Sequence, residues 1–445
     1  MQRKYIFNIQ KHKISNFFLL NKKESIREAI VKGSFFNVLS RGFGYLRLLA
    51  IAILIGYTEK TDVFFLAFSL IGIFYIFANV FDAVGVPNLV RAASVSREKF
   101  HKLVGLLTSL TLFTSILIVI LAFLSFPIIR FIPFGYVGNV NLLILLKKYY
   151  YILIPYLWFS FWFHHFGAIL RAERHFTCYY IGLSIFAFVS TMVTILGLFF
   201  LKDELILPVS LSCGQFIATC YMLLLVRRHL RFEFYWNSQV KRIINQLLLL
   251  LIVFSIFHLF IVVDRGFAST LPVKTITALT FGLTIAELPK NILKLDQTLI
   301  TPLSEKGASI KQVNYFLKQT LKLSIPPCLM IFILSPFIMP ILFKHGSFSH
   351  IDTELTVLST QLYSLIMPCM ILWPIFYVIF QVLNKLLILI GISLLAVIVN
   401  LVMNYLLVLK LNFGIYGLIG STGFAYLILC IFSYWNILRL AKMEA

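Results

Sequence analysis

Apolar runs of about 20 residues recur along nearly the whole chain, each long enough to cross roughly 30 Å of hydrocarbon at about 1.5 Å per residue. Inside lipid every backbone N–H and C=O needs a partner within the protein, so such runs must be helices or the strands of a closed barrel. A barrel needs short strands of alternating polarity, and these runs are continuous and too long for that. The composition agrees: 60% of residues are hydrophobic, 13% are charged and the mean hydropathy is +0.93. Water cannot be the main solvent of such a chain.

Membrane helices are predicted near 29–56, 62–90, 103–127, 149–170, 176–201, 205–226, 244–264, 273–303, 320–342, 355–383, 386–409 and 414–438, about twelve in all. Lys and Arg alternate between successive connections, as the positive-inside bias demands. One side collects the N-terminal segment, Arg91 to Lys102, Arg171 and Arg174, Arg227 to Arg242, Lys306 to Lys322, Lys385 and the tail with Arg439 and Lys442. The other side holds chiefly Lys60, Arg130, Lys202, Lys274, Lys344 and Lys410. Both termini are therefore expected in the cytoplasm. This distribution also accounts for the formal charge of +22 without nucleic acid, because no single domain or stripe concentrates it. The first 25 residues lack an apolar core followed by a cleavage site, so no signal peptide is expected. Cys178, Cys213, Cys220, Cys328, Cys369 and Cys430 lie in or beside apolar segments without metal-ligand spacing, and read as small buried hydrophobes.

The basic connection 227–243 divides the chain into halves of similar size. The expected fold is an all-α polytopic membrane protein with two six-helix lobes, 29–226 and 244–438, around a central cavity. A basic cytoplasmic segment, 1–28, precedes the lobes and a short tail, 439–445, follows them. Paired lobes that rock about a midplane site are a common transporter design.

Several charges stand where hydrocarbon should exclude them. Arg41 and Arg47 lie inside the first apolar run, and an arginine near a helix centre costs about 2.5–3.5 kcal/mol to insert. Six residues apart, they differ by about 120° in azimuth and about 9 Å along the axis, so both can border one broad cavity. Snorkelling to the interface is the plain alternative for Arg41 and fits Arg47 less well. A guanidinium fork suits pyrophosphate oxygens. Asp62 opens the second run as a reasonable helix start beside Thr61, and Asp82 lies near its other end. Asp264 and Arg265 close the seventh run, as an interfacial ion pair or a functional one. The eighth run carries Glu287, Lys290, Lys294 and Asp296, of which Glu287, Lys290 and Lys294 share a face too polar for lipid. Asn400 and Asn404 are one turn apart in the eleventh run, and Thr422 lies in the twelfth. Membrane asparagines often only join helices, but oxygen ligands with an anionic partner such as Asp264 would also suit a cation.

Taken in order, several segments resemble the MurJ (MviN) lipid II flippase family of the multidrug, oligosaccharidyl-lipid and polysaccharide exporter superfamily. They are Arg41-Gly42-Phe43-Gly44-Tyr45-Leu46-Arg47, Thr61-Asp62-Val63-Phe64-Phe65-Leu66-Ala67-Phe68, and Pro155-Tyr156 with Gly167-Ala168-Ile169-Leu170. Val263-Asp264-Arg265, Leu288-Pro289 and Phe343-Lys344-His345-Gly346-Ser347-Phe348 with Asp352-Thr353 and Thr356 continue the series. The resemblance implies a two-lobed fold whose cationic cavity receives a pyrophosphate-linked sugar while the polyprenyl tail stays in lipid. Arg41, Arg47 and Asp62 match cavity positions. Asp264, Asn400, Asn404 and Thr422 resemble the sodium site of sodium-coupled relatives, with Asn404 where a carboxylate would stand, which predicts weakened or absent ion binding. Two further cavity arginines of the family appear here as Tyr75 and Thr284, near Glu287 and Lys290. The family's last two helices, which help to form its lipid-tail groove, are expected to be missing.

The leading expectation is a flippase for an undecaprenyl-pyrophosphate saccharide in the bacterial inner membrane, acting as a monomer on lipid II or another envelope precursor such as an O-antigen or exopolysaccharide unit. No cofactor is expected. The chain has no G-x-x-x-x-G-K-[ST], so the membrane potential or a sodium gradient must drive it. A cation-coupled multidrug exporter would be expected to hold a carboxylate at its cargo site, which Arg41 and Arg47 disfavour. A membrane glycosyltransferase or ligase needs external catalytic loops, and the external connections are short. A non-transporting scaffold is the remaining alternative.

Overall fold

The computed structural model describes residue 24 and residues 26–293, 310–383 and 385–444. Among these, regular structure is helical throughout. The α-helices are α1 (Ile26–Leu54), α2 (Glu59–Val95), α3 (Arg97–Ile129), α4 (Val140–Ile152), α5 (Ile154–Ala172), α6 (Phe176–Leu201) and α7 (Ile206–Val226). After the basic connection come α8 (Ser238–Ala268), α9 (Thr275–Ala286), α10 (Leu288–Leu293), α11 (Ile310–Phe343), α12 (His350–Val382), α13 (Leu386–Asn404) and α14 (Gly414–Glu444). Among the described residues eleven spans are long and apolar enough to cross a membrane, with α4 and α5 running on as one, Val140–Ala172. The chain is a multi-pass membrane protein.

The expected eighth span is the exception. Instead of one helix over 273–303, α9 stops at Ala286 and α10 restarts at Leu288. Pro289 stands at the break and contributes to it, since it lacks an N–H and its ring crowds the carbonyl four residues back, although α11 and α12 run on through their own prolines. Lys294 and Asp296 lie outside the described residues.

Two compact units account for the fold, and each is discontinuous in sequence. Unit 1 holds the described residues up to Ile51, with Leu70–Pro127 and Lys147–Phe254. Unit 2 holds Ala52–Ser69, Ile128–Leu146 and the described residues from Ser255 onward. The basic connection 227–243 belongs to unit 1, and the change of unit falls within α8.

In unit 1, hydroxyls stitch α1 to α6. Ser184 donates to the carbonyl of Phe36 at 2.8 Å and Thr191 to that of Phe43 at 2.8 Å, while Ser40 returns a bond to Leu183 at 3.1 Å. Small polar residues serve this purpose between membrane helices because they allow close approach and carry their own donors. α7 packs on both α5 and α6. Thr219 and Ser212 of α7 donate to α5 and to the last residue of α4, at the carbonyls of Phe159 and Ile152. The core below is aromatic and aliphatic, with Phe100, Phe163, Phe166 and Met222 buried.

In unit 2, α12 is the central helix, packing against α9, α11 and α14, while α13 packs on α14. Gly282 of α9 allows the tightest of these approaches, since a Cβ there would lie 2.4 Å from Cβ of Ser359. The segment from Phe343 to Ser349 turns back onto the end of α1. Gly56 and Gly346 take positive φ of 74° and 62°, and Ser347 N donates to the carbonyl of Ile53 at 2.8 Å. Ser349 and Asp352 then form a capping box that starts α12.

Candidate functional site

In unit 2, four of the sequence-selected residues converge. Asp264, near the end of α8, is buried against α13 and α14. Its Oδ1 accepts from Nδ2 of Asn400 at 3.2 Å and of Asn404 at 3.1 Å, and its Oδ2 accepts from Oγ1 of Thr422 at 2.6 Å. Ser421, not singled out in the sequence, donates to Oδ1 of Asn404. A six-residue π-helical stretch, Tyr405–Lys410, follows Asn404 directly, a local irregularity often found beside functional sites. Arg265, the neighbour of Asp264, turns its guanidinium to the carbonyl of Ile276 at 2.8 Å. It is therefore not merely the other half of an interfacial pair.

The donor set fits a monovalent cation. It offers one carboxylate, two amide oxygens and two hydroxyls, all hard oxygens with a net charge of one. Oδ1 of Asn400 is buried and has no hydrogen-bond partner, so one ligand atom already stands uncommitted. No group of three or more His, Cys, Asp or Glu residues able to hold a metal occurs among the described residues. The arrangement suits an alkali ion better than a transition metal.

Asp62 also lies in unit 2, with a task the sequence suggested only in outline. Its Oδ2 accepts from the backbone N of Lys274 at 2.7 Å, and its Oδ1 accepts from N and Oγ1 of Thr277 at 2.7 and 2.5 Å. It thus caps α9, a helix 212 or more residues away in sequence. Lys274, held at φ 85°, extends its Nζ to Asp352 at 2.8 Å, joining this cap to the one that starts α12. The carboxylate of Asp62 is fully engaged.

Arg41 and Arg47 belong to unit 1. Arg47 reaches Oγ of Ser190 at 3.4 Å, near the limit for a hydrogen bond, and Nε of Arg41 is buried without a partner. No carboxylate pairs with either among the described residues. Tyr75 shares a hydrogen bond with Nε2 of His164 at 2.8 Å and stacks on Tyr156 with centroids 5.8 Å apart. Nδ1 of His164 is 4.0 Å from Asp82, which is bonded in turn to Arg171. Arg171 also covers the ring of Tyr179 at 4.1 Å. Asp82 is therefore neither a cap nor a free surface group. The available clue was His164 itself, a titratable residue in the middle of an apolar run. The remaining cavity candidates lie in unit 2. Thr284 donates back to the carbonyl of Thr280 at 2.7 Å, and Glu287 pairs with Lys290 at 2.9 Å across the α9–α10 break.

The family model described as lipid II flippase MurJ matches residues 51–444. The chain is 28% identical to the probable lipid II flippase MurJ of Aquifex aeolicus (strain VF5), over 85% of this chain and 77% of that one. It is 25% identical to the protein of the same description from Buchnera aphidicola subsp. Baizongia pistaciae, over 77% and 70% of the two chains. A solved structure described as lipid II flippase MurJ in an inward closed conformation is similar with a TM-score of 0.76, at 18% identity over 93% of this chain and 90% of that one. An inward-facing multidrug resistance MATE family transporter of the MOP superfamily is similar with a TM-score of 0.72, at 12% identity over 94% and 100%. The structural likenesses, at such low identity, speak for the fold.

Proposed function

This chain belongs to the MurJ family of lipid II flippases, and from that membership we propose that Arg41 and Arg47 hold the pyrophosphate of its cargo. The cargo is a polyprenyl-pyrophosphate-linked saccharide of the lipid II kind. It passes from the cytoplasmic to the outer leaflet of the bacterial inner membrane by alternating access, and the chain acts as a monomer with both termini in the cytoplasm. One observation carries the reading: in unit 1 two guanidiniums sit within a membrane helix with no carboxylate to neutralise them and with Nε of Arg41 buried and unpaired. Charges in hydrocarbon are retained where something compensates them, and a bidentate phosphate does so. Asp62 is left out of this site because its oxygens are committed to α9.

Outward movement of an anion is favoured by a negative interior, at about 2.3 kcal/mol per charge per 100 mV. The Asp264 cluster supports sodium as a second driving force, since its unpartnered Asn400 oxygen and single carboxylate suit that ion.

Reconstitution of the purified chain in liposomes with fluorescent lipid II tests the proposal. Arg47→Ala should abolish flipping while leaving insertion and abundance unchanged, and full activity in that variant would refute the anion site. A specific observation favours trying other cargo in the same assay: Tyr75, which the resemblance puts at a cavity position, is tied to His164 and stacked on Tyr156 and offers the anion no guanidinium. A faster turnover with another polyprenyl-linked oligosaccharide than with lipid II would identify that as the cargo.

A further inference from the structure

The connection between α7 and α8 is non-helical over residues 230–237, and over 232–236 its burial alternates residue by residue, as side chains do along an extended chain. On one side Phe232, Phe234 and Trp236 are 64%, 71% and 68% exposed. On the other, Glu233 and Tyr235 line a cleft of about 770 Å³ together with Arg91, Lys99, Lys102 and Arg242. The segment is anchored there by a backbone bond from Glu233 N to the carbonyl of Gly105 at 3.2 Å, and Gly105 has no room for a Cβ beneath Glu233.

A positive-inside bias alone predicts cations scattered through solvated connections. Here two basic connections, distant in sequence, bring their cations into one concavity within unit 1. Lys102 pairs with Glu98 at 2.8 Å, but no carboxylate pairs with Arg91, Lys99 or Arg242 among the described residues. Three neighbouring aromatic rings in water would be costly apolar surface, yet rings of this kind settle readily at headgroup level. They lie in the connection between two apolar spans, Ile206–Val226 and Val240–Ala268, whose ends are where a membrane helix meets the headgroup region.

We propose that this cleft binds the headgroup of an anionic phospholipid of the cytoplasmic leaflet. Its phosphate sits among Arg91, Lys99 and Arg242, while Phe232, Phe234 and Trp236 enter the membrane interface and hold the connection at that level. Basic pockets of this kind at the cytoplasmic side recognise anionic lipid headgroups. The site uses none of the residues assigned to the cargo or to sodium.

The test is native mass spectrometry of the full chain in detergent, with phosphatidylglycerol or phosphatidylcholine added. Phosphatidylglycerol should be retained at least tenfold better, and Arg91→Gln with Arg242→Gln should weaken its binding about thirtyfold. Phe232→Ser with Trp236→Ser should weaken it too, since the interfacial anchor is then lost. Lys318→Gln with Lys322→Gln, two cations one turn apart within α11 of unit 2, should leave it unchanged. Equal loss in both basic double variants would reduce the effect to general charge attraction and overturn the proposal, as would equal retention of the two lipids. A phosphate arm separates the two sources of the anion. Displacement of the lipid by millimolar inorganic phosphate, but not by chloride of matched ionic strength, would make this a soluble-phosphate site and likewise overturn the lipid assignment.

Discussion

Replacing Asp62 by alanine separates a structural carboxylate from a cargo-binding one. The side chain accepts three hydrogen bonds, two of them from the backbone N–H groups of Lys274 and Thr277 that open α9. Loss of an N-cap acceptor costs about 0.5–2 kcal/mol, and each buried donor left without a partner costs about 1–3 kcal/mol. Because Asp62 is only 4% exposed, water cannot readily take over, and the two effects together come to roughly 3 kcal/mol. For a domain of about 200 residues that corresponds to a fall of about 6–12 °C in the unfolding midpoint. Asp62→Asn, which keeps one acceptor oxygen, should lose about half as much. The assay is thermal unfolding of the detergent-solubilised protein, followed beside flipping in liposomes. If Asp62→Ala unfolds at the wild-type temperature yet no longer transports, the carboxylate serves the cargo and the capping argument is wrong.

Asn404→Asp should convert a weak cation site into a stronger one, because it adds a second carboxylate beside Asp264. Sodium, but not potassium or choline, should then raise the unfolding midpoint more than in the wild type, and an equal response in both proteins would count against the site. Gly282→Ala should destabilise unit 2 by about 1–3 kcal/mol, because the new methyl would lie 2.4 Å from Cβ of Ser359. An unchanged denaturation curve would show that α9 and α12 separate freely. His229 lies outside the spans, and burial holds its pKa below the usual value despite Glu173 at 3.2 Å, with Arg97, His101 and His175 opposing its charge as well. A depressed pKa in the folded state contributes stability above the unfolded value of about 6.5 and loses it as the pH falls. The midpoint should therefore drop between about pH 7 and pH 5, and less so in His229→Gln, as read by thermal unfolding across that range.

The spans were readable because hydrocarbon imposes one element and one length on the backbone. The break beside Pro289 was less legible, because the apolar run continues across it and proline alone does not end a membrane helix in this chain. Long-range partnerships had no local trace. Asp82 and Arg171 are 89 positions apart, and the cap that Asp62 supplies to α9 spans 212. Each residue was conspicuous as a charge, but nothing nearby named its partner. The Asp264 cluster stood between these cases: Asn400 and Asn404 share a helix face by spacing and Asp264 was the available anionic partner, whereas grouping all four residues as one site came from the family resemblance.

Most charges inside this protein, of either sign, find their partners within the chain. In unit 2, Asp62 has backbone donors, Asp264 has amides and a hydroxyl, and Asp352 has Lys274. In unit 1, Asp82 has Arg171. Each of these carboxylates has hydrogen-bond or ion-pair partners within the chain itself. Arg171 and Arg265 are met likewise, by Asp82 and by the carbonyl of Ile276. Arg41 and Arg47 break the pattern, with one buried N–H unpaired and one long bond to a hydroxyl between them. A buried donor with no acceptor costs about 1–3 kcal/mol or more when charged, so a purely structural pair of arginines would lose to uncharged residues at these positions. What sets them apart is unmet demand for an anion. A phosphate-bearing guest would meet it only while bound, as a residue that must bind its cargo and then release it requires.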